Sequence, residues 1–266
     1  MRGANPGAAR NRRSPRPRQQ DKHAGTADYQ ARWKGSGGEA GLTAWLYLVL
    51  AHLVADFMLQ PYELVQLKRR PIGLAIHAGI HLLMTAAVVA PFLPRWWIIV
   101  PLSAAIHYLI DRWKVDSRHT EGPTSLVMFL LDQALHLGAL ALVLLIAGLP
   151  LGREVGYGSD GLVRAMYYAV PYVAATFAGA ILVYQVAVAF RTRPNPSDLL
   201  TFGPRAAGLI QRALVLTLVL FAGPSWWWLG AVPFAIVWIR NGRGGGQLAE
   251  AIAGFGFAVV LGLLFR

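Results

Sequence analysis

Long apolar runs separated by short polar links follow one another from Leu42 to the end of the chain. A bilayer core needs about 20 mostly apolar residues per helix. Division of the chain by this length gives about eight membrane segments. The predicted segments are 42–60, 72–92, 94–113, 124–149, 163–190, 206–221, 226–239 and 248–265. The fifth is predicted to bend at Pro171, and the seventh is short enough to be re-entrant. The pattern predicts an all-α fold, a polytopic transmembrane helix bundle.

Ionisable residues interrupt the first four apolar segments as pairs spaced four residues apart. The pairs are His52 and Asp56, His77 and His81, His107 and Asp111, and Asp132 and His136. Residues four apart share one face of a helix. Because the pairs end segments one and three and begin segments two and four, antiparallel packing brings them to one level. Such residues are costly in hydrocarbon and usually mark function there, so the pattern predicts one polar site in a four-helix N-terminal half.

Composition agrees with a multi-pass membrane protein. The chain is 55% hydrophobic and only 14% charged, with a mean hydropathy of +0.44, which is more apolar than an ordinary soluble domain. The absence of cysteine excludes disulfides and thiolate metal sites. The expected partners are the lipid bilayer and a lipid substrate, and no specific nucleic acid is expected.

The domain prediction separates a tail from two sets of membrane helices. Residues 1–41 contain nine basic and three acidic residues and are rich in Gly, Pro and Ala. This composition predicts a disordered basic tail. Residues 42–150 are predicted to form a four-helix membrane bundle with the His/Asp site, and residues 151–266 the C-terminal membrane helices.

The paired residues have the chemistry of a metal site. Imidazole and carboxylate groups bind zinc, manganese and iron, and helix bundles hold such ligands on facing helices. The predicted metal ligands are His52, His77, His81, His107 and His136, with His77 and His81 as the surest pair. The predicted catalytic carboxylates, which act as ligand, histidine-orienting group or base, are Asp56, Asp111 and Asp132. Gln60 and Gln133 border the site and are predicted to hydrogen-bond a ligand or substrate.

Charged residues elsewhere in the apolar runs and links need separate explanations. Arg212 and Glu250 each lie in an apolar segment, and we predict that they form an ion pair between the sixth and eighth segments. The basic stretches 68–70 and 112–114 lie at the mouth of the predicted site and could attract a phosphate headgroup. The positive-inside topology signal explains these stretches equally well.

The paired motifs resemble those of a known family. The sequence His52-Leu-Val-Ala-Asp56 with Gln60, then His77-Ala-Gly-Ile-His81, His107-Tyr-Leu-Ile-Asp111 and Asp132-Gln133-Ala-Leu-His136 is similar to bacterial membrane proteins catalogued as domain of unknown function 3307. Weaker resemblance continues through 203–220 and 249–250. The family has no established activity, so the resemblance implies the fold and the grouping of residues. A looser similarity is to membrane-bound metal-dependent hydrolases, which also carry paired histidines on apolar helices.

These observations lead to one functional hypothesis and several alternatives. The chain is predicted to be a membrane-embedded metal-dependent hydrolase that acts on a lipid or lipid-phosphate substrate. The alternatives are a metal-ion or proton transporter or channel, a structural membrane subunit without catalysis, and an oxidative di-iron enzyme. A carrier needs polar residues that continue to the opposite face, whereas the first four segments become apolar there. This difference favours a dead-end site.

Overall fold

The computed structural model describes residues 41–117, 124–149, 160–190, 202–223, 226–240 and 245–266. The helices are α1 (Gly41–Leu53), α2 (Tyr62–Leu67), α3 (Pro71–Val89), α4 (Trp96–Asp116), α5 (Thr124–Ile146), α6 (Asp160–Val173), α7 (Gly179–Ala189), α8 (Phe202–Thr217), α9 (Trp227–Arg240) and α10 (Gly245–Leu264). π-Helical turns follow α1, α6 and α8 at Val54–Met58, Ala174–Ala178 and Leu218–Ala222. The described elements are all helical, which confirms the all-α class. The predicted disordered tail lies outside the described residues except for its last residue, Gly41.

The prediction of about eight membrane segments is wrong. Three of the described helices are long and apolar enough to cross a membrane: Pro71–Val89, Thr124–Ile146 and Arg164–Ala189. The apolar stretches Ala44–Met58, Ala206–Ala222 and Leu248–Leu264 have at most 17 residues, which is short of a bilayer core at about 1.5 Å per residue. Helix α4 has sufficient length, but its last two turns carry four charged residues. Three spanning helices are compatible with a membrane location.

Helix α1 occupies the centre of the N-terminal helices. It contacts α3, α5 and α6, and the side chains of Tyr47, Leu48 and Ala51 are almost completely buried. A helix that is apolar on all sides is expected to be buried in this way. Helix α4 packs against both α3 and α5, and the end of α1 faces all three helices, because the His52 ring lies near histidine rings on each of them.

The link between the first two predicted segments contains a short helix, α2, which the apolar pattern did not predict. Helix α3 begins at Pro71, whose fixed φ and missing N–H suit the first helical position. A Cβ atom on Gly73 would overlap the carbonyl oxygen of Leu67. Only glycine therefore allows the end of α2 to approach the first turn of α3 this closely. The close approach includes the backbone nitrogen of Lys68, so it positions the backbone from which the Lys68 side chain extends.

The C-terminal helices pack against the N-terminal ones and around a core of their own. Helix α7 contacts α5 and α10, and α8 contacts α10 and the π-helical turn at Ala174–Ala178. That turn lies three residues beyond Pro171, where the proline ring crowds the preceding turn of helix. The C-terminal core contains Val215, Val219 and Ala258, each fully buried. The predicted boundary between residues 150 and 151 stays a prediction.

Candidate metal centre

The eight paired side chains lie together at one level of the N-terminal helices. α1 contributes His52, and the π-helical turn after it contributes Asp56. α3, α4 and α5 each contribute one of the other pairs. Every one of the five histidines is at most 4% exposed. Four helix faces thus bring five imidazoles and three carboxylates into one buried cluster.

Asp56 is the central carboxylate of the cluster. Its Oδ1 atom accepts hydrogen bonds from Nε2 of His77 and Nε2 of His81, each at 2.9 Å. Its carboxylate also lies 3.6 Å from Nε2 of His52 and 3.6 Å from Nε2 of His107. Asp56 therefore faces imidazoles from α1, α3 and α4. π-Helical turns occur often at functional sites. Here the π-helical turn carries Asp56, whose carboxylate lies close to four histidines.

His107 occupies the centre of the imidazole group. Its ring stacks on His81 with centroids 3.5 Å apart, and its centroid lies 4.3 Å from that of His136 and 5.0 Å from that of His77. Its Nε2 atom is 3.4 Å from Oδ2 of Asp111, one turn further along α4. His107 thus links the residues around Asp56 to those around Asp111.

Two lysines approach the other two carboxylates directly. Lys68 Nζ lies 2.6 Å from Asp111 Oδ2, and it also donates a hydrogen bond of 2.9 Å to Oε1 of Gln60. Lys114 Nζ donates a hydrogen bond of 2.6 Å to Asp132 Oδ2. These ion pairs lie on the side of the cluster nearest the links after α1 and α4. The sequence placed both lysines near the mouth of the site but did not indicate these contacts.

The two predicted glutamines border the cluster. Gln133 Nε2 donates a 3.0 Å hydrogen bond to Asp132 Oδ2, the same oxygen that Lys114 contacts. Gln60 instead contacts the cluster through Lys68. Both glutamines therefore orient charged groups of the cluster.

A small cavity lies on the other side of the histidines. It has a volume of about 10 Å³ and is lined by four of the five imidazoles, by the hydroxyl-bearing residues Thr85 and Ser103, and by apolar side chains. The four imidazoles belong to His52, His81, His107 and His136. This volume is close to what one water molecule needs.

Several imidazole nitrogens around the cavity lack hydrogen-bond partners. Within the described ranges, this holds for the buried Nε2 atoms of His52, His107 and His136. The other ring nitrogen of His136, Nδ1, donates a 2.8 Å hydrogen bond to the carbonyl oxygen of Asp132. That bond leaves Nε2 as the nitrogen with a lone pair, as a histidine ligand requires. Buried polar atoms are nearly always satisfied, so these nitrogens require an additional partner.

The ligand atoms form three overlapping groups, and in each group they lie within 4.8 Å of one another. The inner group consists of His52, Asp56, His81 and His107. The middle group consists of His77, His107 and Asp111, and the outer group of Asp111, Asp132 and His136. His107 and Asp111 each belong to two groups, so the three groups form one continuous row. All eight residues predicted as ligands or catalytic carboxylates occur in it.

The predicted pair in the C-terminal half has a different setting. Arg212 is only 4% exposed, and its NH2 atom donates a 3.1 Å hydrogen bond to the carbonyl oxygen of Thr176. The guanidinium lies near Gly179, Gly208 and Gly254, whose lack of side chains leaves room for it. Glu250 lies one turn before Gly254 on α10. The ion pair between Arg212 and Glu250 stays a prediction.

Comparison with known proteins supports one of the two resemblances. No curated protein and no solved structure matches the chain, and the looser similarity to metal-dependent hydrolases is not supported. The motif resemblance is confirmed for the N-terminal helices, whereas the weaker resemblance in the C-terminal half lies outside the matched range. Residues 45–151, which contain all eight paired residues and both lysines, match the family model described as "Protein of unknown function (DUF3307)".

Proposed function

We propose that this chain is a membrane-embedded metal-binding protein and that it uses a bound divalent metal to hydrolyse a lipid or lipid-phosphate substrate. The single observation that carries the proposal is the set of partnerless Nε2 atoms of His52, His107 and His136, buried around one small cavity. A cation in the inner group would give the buried lone pairs of His52 and His107 a partner, because the ligand atoms of that group lie within 4.8 Å of one another.

The donor set indicates the class of metal. Three histidines and one carboxylate form the inner group, and imidazole with carboxylate suits zinc, manganese or iron. A bound metal of this kind polarises the bond to be cleaved and lowers the pKa of a bound water. Asp56, Asp111 and Asp132 are the bases available to accept a proton from such a water.

The position of the centre supports a substrate that lies in the bilayer. The cluster is near the ends of α1 and α4, and the exposed basic residues Arg69 and Arg70 follow Lys68 in the link after α2. A basic surface at this level attracts anionic headgroups. Phosphate monoester and diester lipids are therefore the first substrates to examine, together with neutral glycerides as an uncharged comparison.

Metal content and hydrolysis should be measured on the same detergent-purified protein. The full chain is isolated through a tag without histidines, and zinc, manganese and iron are counted by mass spectrometry. His77→Ala/His81→Ala removes two imidazoles of the centre. Leu74→Ala, which shortens a buried side chain one turn away on α3, controls for lost packing. We expect stoichiometric metal in the parent and in Leu74→Ala, and no metal in the double variant.

Hydrolysis is then followed with mixed vesicles of phosphatidic acid, phosphatidylglycerol and diacylglycerol. We expect metal-dependent product release in the parent that a chelator abolishes and the matching metal restores. A metal-free parent that remains folded and unchanged by added metal would contradict the metal centre. A metal-loaded parent that releases no product would contradict hydrolysis of these lipids while leaving the metal centre in place.

Ion transport is a second candidate, and the cavity is the observation that favours it. The hydroxyls of Thr85 and Ser103 extend the polar lining by one helical turn beyond His81 and His107. Beyond them the fully buried side chains include the apolar Val89 and also Tyr47, whose hydroxyl group has no hydrogen-bond partner among the described residues. Metal or proton uptake into protein-containing vesicles is the deciding measurement. Uptake that disappears in His77→Ala/His81→Ala would favour transport over hydrolysis.

A further inference from the structure

We infer that the centre holds one metal ion, in the inner group, and that the ammonium groups of Lys68 and Lys114 occupy the place of a second metal ion. This inference rests on the proposed metal binding and adds the number of ions and the residues that limit it. Two of the three ligand groups depend on Asp111, and one depends on Asp132. Each of these carboxylates already has a lysine nitrogen 2.6 Å away.

The lysines reach the carboxylates from fixed positions. Lys68 caps the C-terminus of α2, and Gln60 accepts a second hydrogen bond from its ammonium group. Lys114 lies in the last turn of α4, where a cation is also favourable for the helix dipole. Their side chains are 14% and 32% exposed. Both ammonium groups therefore occupy the part of the row that a second metal would need.

Charge balance favours a single divalent ion. With neutral imidazoles, the three carboxylates and the two ammonium groups leave one net negative charge in the cluster. One divalent ion with a bound hydroxide or another monoanion brings the total to zero. A second divalent ion would leave a large positive charge in a buried setting, where uncompensated charge is expensive. Of the three carboxylates in the cluster, Asp56 is the one for which the described part of the chain shows no lysine contact, and it is also the carboxylate of the inner group.

Removing the lysines should convert the centre to two metals. Without the two ammonium groups the cluster carries three net negative charges, and the outer group of Asp111, Asp132 and His136 becomes free to bind. His136 can still use Nε2, because Nδ1 remains bonded to the carbonyl oxygen of Asp132. The lysines are thus residues that set metal stoichiometry.

The test counts metal ions per chain in the full-length protein. Parent and Lys68→Met/Lys114→Met are equilibrated with buffered zinc, freed of unbound metal, and measured by native mass spectrometry with elemental analysis. We expect one zinc ion per parent chain and two per double-variant chain. Adding Asp132→Asn to the double variant should return the count to one, because the outer group then loses a charged ligand. Arg69→Met/Arg112→Met removes two exposed cations next to Lys68 and near Lys114 in the chain, of which Arg112 pairs with Asp116 outside the cluster, and should keep one.

The outcomes separate this inference from the proposal beneath it. A parent that binds none of zinc, manganese and iron removes the metal-binding proposal itself. Two zinc ions in the parent, or one in both the parent and the folded double variant, overturn the inference and leave metal binding intact. If the double variant does not fold, the parent and the two single lysine variants decide. A parent with two ions, or folded single variants whose zinc count and affinity equal those of the parent, overturn it.

Discussion

The imidazole rings of His81 and His107 stack with their centroids 3.5 Å apart and their planes 22° apart. The two residues come from different helices, α3 and α4, and both belong to the inner ligand group. Nε2 of His81 is hydrogen-bonded to Asp56, whereas Nε2 of His107 is buried without a hydrogen-bond partner among the described residues. The packing of α3 against α4 thus places an imidazole that has a hydrogen-bond partner directly on one that still needs a partner.

Replacing His107 should damage metal binding more than replacing His77. His107 belongs to the inner and middle groups, whereas His77 belongs to the middle group and contacts the inner group through its hydrogen bond to Asp56. Loss of a residue that orients a ligand weakens metal binding by about 10- to 100-fold. We expect His77→Ala to bind zinc in that weaker range and His107→Ala to retain none after desalting, measured by competition with a chromophoric chelator. Equal affinities in the two variants would contradict the assignment of the inner group.

Bound metal should stabilise the folded chain by mass action. A ligand that binds only the native state at 100 times its dissociation constant contributes about 2.7 kcal/mol. Thermal unfolding in detergent should therefore shift upward with added zinc and downward with a chelator. His77→Ala/His81→Ala should show neither shift. An identical shift in parent and double variant would mean that the metal binds elsewhere.

The convergence of the paired residues could be predicted because it depends on local spacing. Each pair is four residues apart, and the pairs lie alternately near the end and near the start of successive apolar segments, so antiparallel helices bring them to one level. The lysine contacts could not be predicted in this way. The direction of the Lys68 side chain depends on α2 and on the close approach at Gly73, and neither leaves a periodic signal in the sequence.

The number of spanning helices could not be read from apolar runs alone. Helix α1 is apolar on all sides because other helices surround it, and hydropathy does not distinguish protein neighbours from lipid neighbours. The π-helical turn that places Asp56 toward three helices also has no signature in the pattern. Interruptions of this kind shorten the regular helices that a residue count predicts to be continuous.

Gly73→Ala should destabilise the N-terminal helices and weaken the contact of Lys68 with Asp111. The added Cβ would collide with the backbone at the end of α2, and overpacking of this kind costs about 1–3 kcal/mol. Gly79→Ala on the same helix is the matched control, because nothing lies within 4 Å of its added Cβ. We expect a lower unfolding midpoint for Gly73→Ala and an unchanged or higher one for Gly79→Ala, since alanine favours helix.

If the junction between α2 and α3 positions Lys68, Gly73→Ala should also alter metal stoichiometry or affinity at the outer group. Gly79→Ala should bind metal as the parent does. A variant at Gly73 with parental stability and parental metal binding would show that the junction tolerates a side chain and does not fix the lysine.

Arg212→Lys should destabilise the C-terminal helices and leave the metal centre unchanged. The guanidinium spans from Gly208 and Gly254 to the carbonyl oxygen of Thr176, and the single nitrogen of lysine cannot cover both positions. Loss of a hydrogen bond from a buried charged group costs about 1.5–3 kcal/mol. Unfolding free energies in mixed detergent should fall by that amount, with zinc content equal to that of the parent. A variant with parental stability would contradict a structural role for Arg212.

The predicted partnership of Arg212 with Glu250 is measurable in the same assay. A double-mutant cycle with Arg212→Met and Glu250→Gln isolates the energy of the pair from the loss of each residue alone. We expect a coupling above about 0.5 kcal/mol, because residues in one ion-pair network do not contribute additively. Additive effects would mean that Arg212 is held by the Thr176 carbonyl and the surrounding glycines without help from Glu250.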